Sequence, residues 1–224
     1  MANTIKIGSI EADAIKMGTS SITKVYVGTE LVYPNGGGRL PQGYTEVEYV
    51  ENTGSSSVNL GVQLQPNVGD SFEVVLDNEM TWTSGGENFQ TFLTCQKEVS
   101  PYPGWNYRFD NNGIVSITTS QDYSSNRTLI SGNVYHTIIS GSSIPSTQTH
   151  TNPLNLFSSL DANLTPWRFC KGKLYNLTAT YNGNLVRDLV PCINPSNVAG
   201  FYDLVGETFY TTVNNVPLVA GNPV

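Results

Sequence analysis

From residue 40 to the end, short β-like runs of apolar, aromatic and hydroxyl residues alternate with polar, glycine-containing turn signals. The clearest runs are residues 71–76, 91–95, 106–109, 114–118, 134–139 and 173–181. Between them fall Gly85-Gly86, Asn111-Asn112-Gly113, Gly132-Asn133 and Asn182-Gly183. The last two pairs suit tight hairpins, whose central residues take positive φ. No stretch carries the 3.6-residue period of an amphipathic helix. Many short strands at this spacing predict an all-β chain built as a sandwich of two antiparallel sheets.

The first 33 residues follow a different rhythm. Ile5-Lys6-Ile7, Ile15-Lys16-Met17 and Val25-Tyr26-Val27 each precede a glycine and a hydroxyl residue, and Gly8, Gly18 and Gly28 recur every tenth position. Each unit reads as a short strand and a turn, and Glu30 to Tyr33 supply a hairpin partner for Lys24 to Val27. Strands this short bury little alone, so residues 1–33 are expected to need a partner surface. Ile5, Ile7, Ile15, Met17, Val25 and Val27 are the candidate assembly residues of this attachment or oligomerisation module. Residues 34–39, Pro-Asn-Gly-Gly-Gly-Arg, are expected to be a hinge, because three consecutive glycines hold no fixed geometry cheaply. The main domain then spans 40–224.

Composition supports a turn-rich β protein. Charged residues make up 13% of the 224, whereas Asn, Ser and Thr together supply roughly three residues in ten. The net charge of −7 works against nucleic acid and anionic membranes, both of which reward a positive field. No apolar run is long enough to span a membrane, so no membrane insertion is expected. Met1 to Lys6 lack the apolar core of a secretory signal, which predicts synthesis and folding in a cytoplasm. Cys95, Cys170 and Cys192 are odd in number and far apart, and are expected to be buried free thiols.

Two blocks carry a resemblance. Residues 172–204, including Gly172-Lys-Leu-Tyr-Asn-Leu177, Asn184 to Pro195 and Gly200-Phe-Tyr-Asp-Leu204, resemble the C-terminal signature of concanavalin A-like (laminin-G-like) jelly-roll domains of gut bacteria and their bacteriophages. Residues 40–61 look like the entry strand of the same family. Lys24 to Pro34 are similar to a segment near the start of phage virion-appendage proteins. The resemblance implies a jelly roll with a virion role. Within the signature, Arg187 and Asp188 are expected to form a local ion pair, and Pro191 and Pro195 to end strands.

The candidate chemistry is sparse. Glu46-Val-Glu-Tyr-Val-Glu51 has the spacing of the Glu-x-Asp-x-x-Glu motif of jelly-roll glucanases, with Glu48 in place of the central Asp. Strict alternation would put Glu46 and Glu48 on one face and Glu51 on the other unless a bulge intervenes. His136 and His150 lack a nucleophile or metal-ligand spacing, so no catalytic residue is expected. Some laminin-G-like domains hold calcium at the rim, and Asp110 to Asn112 and Asp122 are oxygen-rich, yet they read as ordinary turn chemistry. No metal or other cofactor is expected.

Tyr102-Pro-Gly-Trp-Asn-Tyr107 is the best binding candidate. Sugars stack apolar C–H faces on Trp and Tyr while amides and carboxylates bond their hydroxyls. Tyr102, Trp105, Asn106, Tyr107 and Asp110 are the candidate glycan-binding residues, with Trp82 and Trp167 behind them. The alternative for Trp105 is a core residue beneath the loop.

These readings converge on a non-enzymatic bacteriophage virion protein, a head or tail fibre or similar appendage assembled in the host cytoplasm. Its expected partners are other virion proteins, further copies of itself as a trimer or dimer, and host-surface or mucus glycans. The alternatives are a glycan-cleaving enzyme on the same fold, using Glu46, Glu48 or Glu51, and a bacterial surface adhesin.

Overall fold

The computed structural model describes residues 16–17, 20–21, 24–27, 30–34, 39–64, 70–82, 89–95, 104–109, 115–119, 123–127, 133–141 and 152–224. The chain divides into two compact units, Met1–Gln42 and Gly43–Val224. In the first unit β1 (Lys16–Met17) pairs with β2 (Ser20–Ser21), and β3 (Lys24–Val27) pairs with β4 (Glu30–Pro34). The β3–β4 hairpin is the one read from the sequence. Met17 lies in β1 and Val25 and Val27 in β3, whereas Ile5, Ile7, Ile15 and the glycines of the hinge lie outside the described residues.

The second unit is wholly β among its described residues. Its strands begin with β5 (Thr45–Glu46), β6 (Val50–Asn52), β7 (Val58–Asn59), β8 (Phe72–Thr81), β9 (Gln90–Thr94) and β10 (Trp105–Phe109). They continue with β11 (Val115–Thr119), β12 (Tyr123–Arg127), β13 (Val134–Ser140), β14 (Asn155–Leu156), β15 (Ser159–Leu160) and β16 (Pro166–Trp167). The last are β17 (Lys171–Tyr181), β18 (Asn184–Ile193), β19 (Ala199–Asp203), β20 (Thr208–Tyr210) and β21 (Val219–Ala220).

Two antiparallel sheets make the sandwich. The six-stranded sheet runs β12-β11-β10-β9-β14-β7. The nine-stranded sheet runs β13-β8-β17-β18-β19-β20, with β6 beside β17, β21 beside β6 and β5 beside β18. One core joins them: Phe72, Val74, Leu76 and Met80 of β8 and Leu174, Leu177 and Ala179 of β17 meet Phe92, Trp105, Tyr107 and Phe109 of the opposite sheet. In β8 the buried residues fall at every second position from Phe72 to Met80, as one buried face requires. Gly172 lets the sheets approach closely, because a Cβ there would collide with the Glu79 carbonyl and the Phe92 ring. Gly200 sits equally tightly against the Tyr210 carbonyl and the Phe209 ring.

The β17–β18 turn is the expected Asn182-Gly183, with φ of 48° and 76°. Two expectations for the signature block are corrected. Pro191 lies within β18, opposite Phe201, where its carbonyl accepts a bond from the Val47 amide at 3.1 Å. Arg187 pairs with Asp203, at 3.6 Å, instead of with its neighbour Asp188. Strand geometry explains this: adjacent side chains point to opposite faces, whereas β19 brings Asp203 alongside.

Asp203 is fully buried, and its Oδ1 accepts the amides of Asp188 at 2.9 Å and Val205 at 3.1 Å. The Arg187 guanidinium donates to the Leu60 carbonyl through Nε at 2.9 Å and Nη2 at 2.7 Å, and to the Val186 carbonyl through Nη1. Removing one partner of such a pair leaves an uncompensated charge in a poorly solvated place. Asp203→Ala is expected to cost about 3–5 kcal/mol in denaturant unfolding.

Candidate functional site

The expected glycan-binding loop is largely interior, and this corrects the sequence reading. Trp105 and Asn106 are fully buried and Tyr107 is 3% exposed. Trp105 stacks on Phe72, with ring centroids 5.4 Å apart, on the same face of β10 as Tyr107 and Phe109. Asn106 faces the other way and accepts a hydrogen bond from the Thr94 hydroxyl. The Tyr107 hydroxyl lies 3.3 Å from Thr137 Oγ1 and 3.4 Å from Asn78 Nδ2, closing a buried polar triangle between the sheets. Tyr102 and Asp110 lie outside the described residues. The decisive detail is that β10 starts at Trp105, so the indole belongs to a core-facing strand.

A better-placed cluster forms on the opposite side of the six-stranded sheet. Tyr107 and Phe109 enter the core, so Arg108 between them points outward and stays half-buried. Its guanidinium lies over the Phe89 ring at 4.1 Å. Arg168 lies 5.0 Å from that same ring and 3.9 Å over Trp167. Planar guanidinium over an aromatic face is a favourable cation–π geometry.

Local packing fixes this arrangement. The β15–β16 hairpin pairs Ser159 with Trp167, and the Ser159 hydroxyl lies 2.8 Å from Thr91 Oγ1. Thr91 stands opposite Arg108, and its amide donates to the Arg168 carbonyl at 2.9 Å. Arg168 adopts a left-handed φ of 52°, a conformation that a side-chain-bearing residue holds only where its surroundings impose it. Trp167 Nε1 is buried with no hydrogen-bond partner among the described residues. The cluster offers a half-buried indole, a phenyl ring and guanidinium groups, the side chains that recognise a sugar face and its oxygens.

A second polar group lies on the outer face of the nine-stranded sheet. Lys173 donates to Glu79 at 3.0 Å, and the Tyr175 hydroxyl donates to the same carboxylate oxygen at 3.3 Å. Lys173 sits 4.8 Å over the Tyr49 ring, and Tyr49 meets Tyr175 edge-on at 5.5 Å. The Glu79 bond holds the Lys173 pKa above its usual value, and burial does the same for Tyr175, helped by the Glu79 charge. One strand further out His136 Nδ1 lies 2.7 Å from Asp77 Oδ1, and Asn176 donates to Asp77.

The glutamate motif is rearranged relative to strict alternation. Its buried residues are Val47 and Val50, with Asn52 buried just after it, so the period breaks between Val47 and Val50. Glu46, Glu48 and Glu51 therefore all stay on the side away from the core. Glu48 is exposed and accepts a bond from Asn222 at 3.1 Å.

The cysteines offer no nucleophile. All three are free and buried, and burial pushes the thiols of Cys95 and Cys192 up to about 12 and that of Cys170 higher still. His136 has no serine or cysteine partner among the described residues. No group of three His, Cys, Asp or Glu side chains converges on a common point among the described residues. His150, Asp110 to Asn112 and Asp122 lie outside them.

No protein-family model matches the chain, and neither a curated protein nor a solved structure matches it.

The Lys173–Glu79–Tyr175 group carries a pH dependence with a definite sign. Both Lys173 and Tyr175 hold their protons more tightly when folded, so their contribution is complete below the unfolded values, near 10. It is lost as pH rises through the higher folded ones. The share of the denaturant midpoint that this group carries is expected to be lost as pH passes about 10. A Lys173→Met, Tyr175→Phe variant should show a shallower fall; Tyr202, Tyr210 and the three buried thiols, all raised as well, retain the remainder.

Proposed function

We propose that the chain is a non-enzymatic structural protein of a bacteriophage virion, a fibre or similar appendage, in which residues 1–33 attach to the particle and the sandwich touches host-surface or mucus glycans. The observation that carries this reading is the division of labour between the two units. In the first, the described strands are two to five residues long and pair in twos, and strands this short are marginal by themselves. The second holds a continuous core of its own. A self-sufficient sandwich behind a dependent ribbon suits an outward-facing domain on an attachment element.

The glycan-contacting role passes from Trp105 to the Phe89, Arg108, Trp167 and Arg168 cluster. Trp167→Ala is expected to leave unfolding stability within about 1 kcal/mol, as for a half-exposed side chain. It should also lower retention on a glycan array at least tenfold. Trp105→Ala should instead cost about 3–5 kcal/mol, since it empties a packed core site. Equal glycan retention by wild type and Trp167→Ala would remove the cluster from the reading. Failure of the intact chain to copurify with assembled particles would remove the virion role.

A second reading is favoured by the break in alternation that leaves Glu46, Glu48 and Glu51 on one side. It is a glycan-cleaving enzyme with these carboxylates at its centre. Hydrolysis of a polysaccharide that is lost in Glu48→Gln would establish it, and no hydrolysis across a glycan panel would dispose of it.

A further inference from the structure

We infer that the β13 edge of the nine-stranded sheet is a two-fold interface, at which a second copy of this chain continues the sheet. β13 is the end strand, and it pairs with β8 over all seven of its residues without a bulge. No described strand lies on its other side. Soluble proteins protect such edges with Lys, Pro, inward charges or bulges, because an open strand templates further pairing. Val134-Tyr-His-Thr-Ile-Ile-Ser140 has none of these devices. Its outward side chains include Val134 at 54% and Ile138 at 55% exposure, with His136 between them. Ile138 adds to the half-buried Val75 beside it on β8, making a short apolar strip that reaches the sheet edge.

The pattern is self-complementary. Valine, histidine and isoleucine sit at positions two apart, so an antiparallel two-fold centred on His136 sets Val134 against the partner's Ile138, and Ile138 against the partner's Val134. Both are apolar cross-strand pairs of the kind that stabilise sheets. A two-fold contact of this sort closes on itself and leaves no open edge for further growth.

Charge points to the same occupant. β8 behind the edge carries Glu73, Asp77 and Glu79 outward of the core, an acidic row that would repel another acidic row laid directly upon it. In the two-fold arrangement the two β8 strands are separated by three strand spacings, about 14 Å. That exceeds the screening length of about 8 Å at physiological salt. Only His136 and the partner's His136 meet at the axis, each already held by its own Asp77 at 2.7 Å.

Light scattering on the full chain tests this, beside the Ile138→Lys variant, with circular dichroism as the check on folding. The wild type is expected to be an even-numbered assembly whose mass is halved by Ile138→Lys. A second variant makes the test independent of that substitution. Residues facing each other on a two-fold antiparallel axis have Cα atoms about 4.5–5.5 Å apart, within disulfide range. His136→Cys should therefore yield a covalent dimer on a non-reducing gel after mild oxidation, since the three native thiols are buried. A monomeric wild type, a folded Ile138→Lys protein of unchanged mass, or a His136→Cys protein that forms no covalent dimer would each overturn the inference.

Discussion

The sandwich depends on one guanidinium. Arg187 starts on β18 of the nine-stranded sheet and ends on the Leu60 carbonyl, just past the end of β7 in the six-stranded sheet. It thereby pins the two layers together at a position where no ladder hydrogen bond can. Asp203 compensates the charge and also receives the Asp188 and Val205 amides, so the same carboxylate shapes the corner where β19 ends. Burying such a pair is costly unless every remaining hydrogen-bonding group is used. Here the arginine places three of its nitrogens on the Leu60 and Val186 carbonyls, while Asp203 Oδ2, 3.6 Å from Nη1, has no hydrogen-bond partner among the described residues, so the pair is held by charge and by the Oδ1 bonds.

Polar groups also specify how the layers meet. Asn78, Tyr107 and Thr137 form their triangle across the core, and Asn155, Ser57 and Ser158 bond one another where β14 crosses to β7. Asn52 accepts three amides from residues 54–56 and donates to the Cys170 carbonyl, closing a turn and tying it to the β17 entry in one step. A purely apolar interior would tolerate sliding by a residue or two. These networks lose partners under any such slip, and an unsatisfied buried group costs more than a hydrogen bond gains.

Much of this was legible in the sequence, and the misses have physical causes. β8, β13 and β17 were readable because alternation over several residues is a strong signal, β9, buried at all five positions, as a short β-prone run, and the Asn182-Gly183 turn because positive φ demands such residues. β14, β15 and β16 are two residues long and carry no period to detect. β18 was hidden by Pro191, which reads as a strand end yet lies within the strand opposite Phe201. Trp105 was misassigned by one residue: adding it to the 106–109 run gives it the parity of Tyr107 and Phe109 and sends it inward. Of the Phe89–Arg108–Trp167–Arg168 cluster only Trp167 carried a sequence signal, as a secondary aromatic candidate. Its members come from three separated segments and meet only because a short hairpin folds back over β9.

Gly172 and Gly200 lead beyond this one chain. At each, a neighbouring carbonyl and ring fill the space that any other side chain's first carbon would need. Neither position can drift, whatever happens to surface loops. Along a lineage the sandwich can exchange nearly all its outward residues and still fold, provided these two gaps and the Arg187–Asp203 tether persist. A common ancestry would then survive as three fixed points in otherwise unrecognisable sequences.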